Sequence, residues 1–296
     1  SANHGSDYAA GIALWADGTG RIDGNVALQA GSEIEVTAAP RCTAAPAGVI
    51  GEDVVFEGGL HGRMAITGNG QASAAGVRGG GGDPYQPASL STVTVDGDVT
   101  ADIDVTNTGE TWSLGAYIGA GYLNVTGDIT GRIAAKTGAY AASPVFVGSG
   151  IDIGSISGTL SADCEGQSIS LWIWGYLNQT NDLHVGAITE TGEVRAVGGD
   201  NGWEVAAIEA AANGNVRIDQ MDGTIYAESR SDTGSVWGVY AVGRNDPGVD
   251  ANEGGHVEMT VGETGRIEAR GGAAAAAIMA YNGLDLTIRG DVIARS

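Results

Sequence analysis

The chain has 296 residues, with 36 Asp and Glu against 14 Lys and Arg, a formal charge of −22, 51 glycines and 43% hydrophobic residues. Acidity on this scale opposes nucleic acid and anionic membrane as partners and keeps a large surface solvated. The apolar share excludes a disordered chain, glycine without a strict three-residue period excludes collagen, and nothing approaches the roughly 18 continuous apolar residues of a membrane helix.

Along the chain one phrase recurs nine times: apolar–x–Gly–x–apolar. It stands at 22–26 (Ile-Asp-Gly-Asn-Val), 60–64, 99–103 (with Ala for Gly), 129–133, 156–160, 188–194, 221–225, 261–267 and 288–292, the sixth and eighth copies being two residues longer. The unit averages about 33 residues, a size that signals a solenoid, propeller or array. Each copy leads into a first strand in which positions one and three are apolar and the middle varies, as in Met64-Ala-Ile66, Ile103-Asp-Val105 and Ile225-Tyr-Ala227. That alternation marks a strand with one buried face. A second strand is built on small and branched residues, at 10–14, 75–77, 115–118, 236–240 and 276–279, so the alanine run 273–277 is read as strand rather than helix. The third is in–out–in throughout: Val93-Thr-Val95, Leu123-Asn-Val125, Ile151-Asp-Ile153, Leu183-His-Val185, Val216-Arg-Ile218, Val257-Glu-Met259 and Leu284-Asp-Leu286.

Three short strands per unit predict an all-β chain folded as one single-stranded right-handed parallel β-helix (β-solenoid) of about nine coils, roughly 40 Å long at the strand spacing. One domain is expected over 1–296, with longer loops near 36–59, 79–90 and 243–256. The absent initiator Met and an end inside a repeat predict a piece of a longer polypeptide. Cys42 and Cys164 fall four units apart, on the order of 19 Å along the axis, beyond the Cα separation of about 7 Å that a bridge allows; two unbridged thiols are expected.

The strings Gly-Asp-Ile-Thr-Gly-Arg-Ile-Ala at 127–134 and Ala-Ala-Gly-Ile-Ala-Leu at 9–14 resemble the repeats of autotransporter passengers and related surface β-helix adhesins. The resemblance runs over essentially the whole chain and is compositional. It implies a secreted or outer-membrane-associated surface stalk that binds host or glycan ligands, and scarce cysteine fits that family's passage across an outer membrane.

Chemistry-bearing residues are sparse. The alternative reading, a carbohydrate-active β-helix enzyme (polysaccharide lyase or glycoside hydrolase), needs paired carboxylates beside basic groups, whereas the sequence offers Asn181-Asp182 and His61-Gly-Arg63 without an Asp-Asp pair. No catalytic residue is therefore assigned. His4, His61, His184 and His256 lack metal-ligand spacing, and His184 is expected on the outward column of the third strand, beside Asp152 and Arg217. Asp246, Asp250 and Glu253 are the candidates for calcium, although their spacing matches no known calcium loop; no other cofactor is implied. Trp172, Trp174 and Tyr176 alternate with Leu171, Ile173 and Leu177, with Trp203 and Trp237 expected in the same slot of the next two units. Facing outward they form a sugar-stacking platform, the candidate ligand contact. Facing inward they fill the core. The cost of exposing three aromatics on one strand favours the core or a loop-covered patch.

Overall fold

The computed structural model describes residues 8–13, 23–25, 28–38, 45–51, 53–69, 74–79, 92–108, 118–119, 121–138, 140–174, 181–211, 214–242 and 254–296. Among these there is no helix, and every strand pairing is parallel. The described strands form four sheets. Sheet I, nine strands, runs from Asp23–Asn25 to Gly283–Ile288, and sheet II, also nine, from Glu33–Thr37 to Asp291–Arg295. Sheet III has four strands, from Tyr8–Ala13 to Ile118–Gly119; sheet IV has six, from Ala141–Ala142 to Ala274–Ala280. In chain order the polypeptide visits sheet III or IV, then I, then II, and begins again. The first four rounds pass through sheet III and the later five through sheet IV. This all-β, all-parallel arrangement is consistent with a β-solenoid.

The repeated letters become neighbours in space. On sheet I, Phe56, Val95, Val125, Ile153, Val185, Ile218, Met259 and Leu286 pair one above the next. The first apolar letter of the phrase makes a second pile, begun by the single-residue bridges Leu28–Leu60, Leu60–Val99 and Val99–Ile129 and continued from Ile156 to Ile288. The second apolar letter makes a third, from Ile34 through Met64 and Ile103 to Val292 on sheet II. Nearly all of these side chains are removed from solvent and join one continuous apolar core. The in–out–in alternation is what places them there, since successive side chains of a strand point to opposite faces.

The glycine of the phrase has a steric cause. It turns the corner from sheet I to sheet II directly above the previous round. The Gly158 amide donates to the Ile129 carbonyl at 2.7 Å, and a Cβ on Gly158 would stand 2.0 Å from the Gly131 carbonyl oxygen. At Gly131 the equivalent oxygen, of Ala101, would be 2.1 Å away. At these corners a side chain would press on the backbone of the round before, which favours glycine, although Ala101 takes the same corner one round earlier with its amide donating to the Leu60 carbonyl.

Two expectations need correction. The first copy of the phrase is not 22–26: Asp23–Asn25 belongs to sheet I, and Met64 pairs with Ile34. Residues 28–34 are the true first copy, in the form two residues longer. The three long copies share one turn, with Ser32 N–H donating to Gln29 O, Gly192 to Thr189 and Gly265 to Gly262, at 3.0, 2.8 and 3.1 Å. Residues 22 and 26 themselves lie outside the described residues. Second, the loop expected near 36–59 contains strands Ala45–Gly51 and Asp53–Glu57, which take the sheet III and sheet I slots of their round. The run 273–277 does fall on a strand, Ala274–Ala280.

Candidate functional site

The outer faces of sheets I and II are solvated and their charges pair across rounds. On sheet I, Asp152, His184, Arg217, Glu258 and Asp285 are stacked in register. His184 stands where expected, between Asp152 and Arg217, and both ring nitrogens are engaged: Nδ1 with Asp152 Oδ1 at 2.9 Å and Nε2 with Asp219 Oδ2 at 3.2 Å. Arg217 Nε donates to the other Asp219 oxygen at 2.7 Å. Burial opposes charge on the imidazole, but the two carboxylate hydrogen bonds outweigh it and hold its pKa above the usual histidine value. Arg217 and His184 together hold the Asp219 carboxyl below its ordinary value. An imidazolium donating from both nitrogens has no lone pair to accept a proton, so this geometry makes a charge ladder rather than a general base.

On sheet II the counterpart is Glu268, whose side chain is only 2% exposed. Arg266 Nη2 donates to its Oε2 at 2.6 Å, Arg270 Nε donates to Oε1, and the Arg295 guanidinium lies 3.9 Å from that oxygen. Burial alone would raise this carboxyl, yet the hydrogen bonds from Arg270 and Arg266 bring it below the usual glutamate value. Tyr226, one round earlier, lies under the Arg195 and Arg270 guanidiniums at 5.3 and 5.8 Å from its ring centre.

Sheet IV differs: in its strands Gln167–Ile173 and Glu204–Ala210 both faces are largely buried. Strand Gln167–Ile173 is buried at every position. Its Leu171 and Ile173 enter the main core, while Ile169 and Trp172 join a second apolar cluster with Phe146 and Ala206, against which Tyr140 and Trp237 pack. Trp172 is 2% exposed and makes edge-to-face contacts with Phe146 at 4.9 Å and Trp174 at 5.5 Å, whereas Trp174 is 43% exposed. The aromatic strand thus resolves into a buried ring on the outward side of the sheet and an exposed ring at its end. Tyr176 lies outside the described residues.

Trp203 and Trp237 do not continue the Trp172 column. That column reads Phe146, Trp172, Glu209, Tyr240, Met279, and Trp237 pairs instead with Ala206 and Ala276. Trp203 precedes its strand, is 48% exposed and lies 6.1 Å from Tyr140. Tyr240 links Trp237, at 5.1 Å, to the exposed Tyr281, at 6.3 Å.

Within this aromatic surface is a carboxyl that sequence reasoning missed. Glu209 is 5% exposed, its Oε2 has no hydrogen-bond partner, and the indole nitrogens of Trp172 and Trp237 are likewise buried and unpaired. Burial, and then the neighbouring Glu204 charge, push the Glu209 carboxyl well above the ordinary glutamate value. Burial also raises Glu204, partly offset by the Gln167 amide donating to it at 2.6 Å. A glutamate inside Glu-Val-Ala-Ala-Ile-Glu-Ala carries no motif, and only the register with Trp172 could have found it.

The remaining candidates are quickly placed. Asp246, Asp250, Glu253, His4 and Cys42 lie outside the described residues. Among the described residues no group of three or more His, Cys, Asp or Glu gathers as a metal site. His61 is engaged by Thr100 Oγ1 at 2.7 Å and the Gly58 carbonyl at 3.0 Å, and His256 faces Asp285 at 3.2 Å. Cys164 is buried, accepts the Gly166 N–H at Sγ (3.2 Å), and burial drives its thiol pKa up to about 12, which makes it unreactive near neutrality. Compared with family models, curated proteins and solved structures, the chain matches none.

Proposed function

We propose that the chain is a right-handed, single-stranded parallel β-helix of nine coils serving as a non-enzymatic stalk or adhesin segment. In this reading it is secreted or at the cell surface, resembles an autotransporter passenger, and presents loops and an aromatic face to a host or glycan ligand. The supporting observation is the parallel register that runs through nine rounds on sheets I and II, with local shifts at 125–128 and 218–221. Nearly every inward position is used for stacking, and the charged outward clusters on sheets I and II satisfy one another instead of converging on a cleft. A rigid solenoid of this kind holds loops and side-chain rows at fixed spacing, which suits multivalent surface recognition. The negative charge sets nucleic acid and polyanionic ligands aside. No cofactor is required; calcium at Asp246, Asp250 and Glu253 is tested by comparing melting temperatures with and without a chelator. The reading as a whole is tested on arrays of glycans and immobilised host-cell surfaces. Saturable binding supports it, and an absence of binding to every surface refutes it.

A second reading, a carbohydrate-active enzyme, draws support from one feature. A carboxyl whose pKa burial raises is what a glycosidase general acid needs, and Glu209 is such a group with Glu204 beside it. Release of reducing ends or unsaturated uronates from a polysaccharide panel would install this reading in place of the first.

A further inference from the structure

The unpaired groups on sheet IV define a ligand chemistry. Two indole N–H groups, on Trp172 and Trp237, have nothing to donate to, and one carboxyl oxygen, on Glu209, has no donor; all three are buried. They belong to the same sheet face: Glu209 pairs with Trp172 on one side and Tyr240 on the other, and Trp237 lies beside them against Tyr240. Unsatisfied buried polar atoms are uncommon, and three on one face require an explanation. An anion would satisfy the indoles but would bring no donor to the unpaired Glu209 oxygen. An organic cation would satisfy the carboxyl and sit against the rings, but would leave both indoles without an acceptor. A hydroxyl group is donor and acceptor at once, so a ligand rich in uncharged hydroxyls satisfies all three. Ring faces at the margin, Trp174, Trp203 and Tyr281, are each more than two-fifths exposed and suit the apolar C–H face of a sugar ring.

We infer that the outer face of sheet IV, centred on Glu209, Trp172 and Trp237, is a binding site for uncharged saccharides. The inference rests on the surface-recognition reading and narrows it, from loops in general to one sheet face and from any glycan to neutral ones. Gln167, which holds Glu204, leaves Glu209 as the carboxyl available to the ligand's hydroxyls.

The test uses the whole chain and its tryptophan fluorescence. Uncharged oligosaccharides of glucose, galactose, mannose and N-acetylglucosamine are titrated beside oligouronates and choline, on wild type and on Glu209→Gln and Trp237→Phe, the latter removing an N–H while keeping a ring. Circular dichroism and melting curves establish that each variant is folded, and if one is not, the other carries the result. The expected outcome is saturable binding of an uncharged saccharide with a shift of tryptophan emission, weakened at least tenfold in each folded variant, with oligouronates and choline binding less well. Tighter binding of choline or of an oligouronate overturns the inference. Neutral-glycan binding that neither variant changes also overturns it, while leaving the surface-recognition reading intact. No titrated ligand bound, together with a raised melting temperature for Glu209→Gln, identifies an ordinary buried defect and overturns the inference as well; the glycan and cell-surface arrays then decide the broader reading separately.

Discussion

Replacing Gly158 with alanine tests whether the corner of each round sits as tightly on the round before it as the structure requires. The added Cβ would be 2.0 Å from the Gly131 carbonyl oxygen and 2.6 Å from both C and O of Thr130, whereas real contacts of this kind begin near 3.0 Å. The backbone of one round must therefore move by about 1 Å, against the hydrogen bond from Gly158 N–H to Ile129 O. Overpacking of well-packed protein costs roughly 1–3 kcal/mol and occasionally more; with backbone rather than a flexible side chain in the way, the upper end, about 3 kcal/mol, is expected. Gly138→Ala is the internal control, because a Cβ there meets nothing within 4 Å. A glycine replaced where space and backbone allow stabilises by about 0.4–1 kcal/mol through the unfolded chain. Urea denaturation followed by circular dichroism, fitted for midpoint and slope, reads both. If Gly158→Ala is as stable as Gly138→Ala, rounds are not stacked at this separation and the explanation of the phrase fails.

Trp172→Ala should destabilise by about 3–5 kcal/mol as a buried aromatic is removed, while Trp174→Ala, at an exposed ring, should stay within about 0.5 kcal/mol; thermal melts compare them. His184→Ala should show a pH-dependent loss. Because the folded-state value of His184 is raised, its contribution is complete below the unfolded histidine value near 6.5 and disappears as pH climbs through the folded value. Asp219, lowered in the folded state, contributes above about pH 4 and loses its effect as pH falls through its folded value. The difference from wild type should therefore peak between about pH 4 and 6.5, at no more than about 1 kcal/mol for so exposed a cluster, and a difference independent of pH would contradict the ladder. Arg132→Glu should cost up to about 1 kcal/mol at low salt by placing an acid against Asp102 and Asp104, and most of that loss should vanish in 1 M NaCl, where the Debye length is about 3 Å.

Sheets I and II were legible in the sequence because each of their strands has one dry face and one wet one. Val93-Thr-Val95 and Ile103-Asp-Val105 announce their orientation, and their register follows. The first copy of the phrase is hidden because apolar–x–Gly–x–apolar is short enough to occur by chance at 22–26, while the true copy at 28–34 carries the two-residue insertion that loosens the pattern. Strands Ala45–Gly51 and Asp53–Glu57 escape the pattern for a related reason: Ala-Pro-Ala-Gly-Val-Ile-Gly has no alternation, since burial at its described positions extends to both faces. The same loss of periodicity hid the candidate site. Where both faces of a sheet are dry, as along Gln167–Ile173, alternation cannot say which rings point outward. The position of Glu209 next to Trp172 then depends on pairing between rounds rather than on any local spacing.

The columns also explain how so acidic a chain tolerates parallel stacking, which places identical positions about 4.8 Å apart. The outer edge of sheet II reads Glu33, Arg63, Asp102, Arg132, Thr159, Glu193, Thr224, Arg266, Asp291 along its register. Charges alternate in sign or are separated by threonine, and like charges never meet. Arg63 thus stands between Glu33 and Asp102, which would otherwise repel, and Arg132 and Arg266 each face an acid on one side. On sheet I, Asp152 is met by His184 and Arg217 by Glu258, while Glu258 and Asp285 stand next to each other. On sheet IV, Glu204 and Glu209 have been given no such partner, although a single arginine in place of Ala206 or Tyr240 would have provided one. Glu209 is buried with one carboxyl oxygen unpaired, and that sets sheet IV apart as the face to probe.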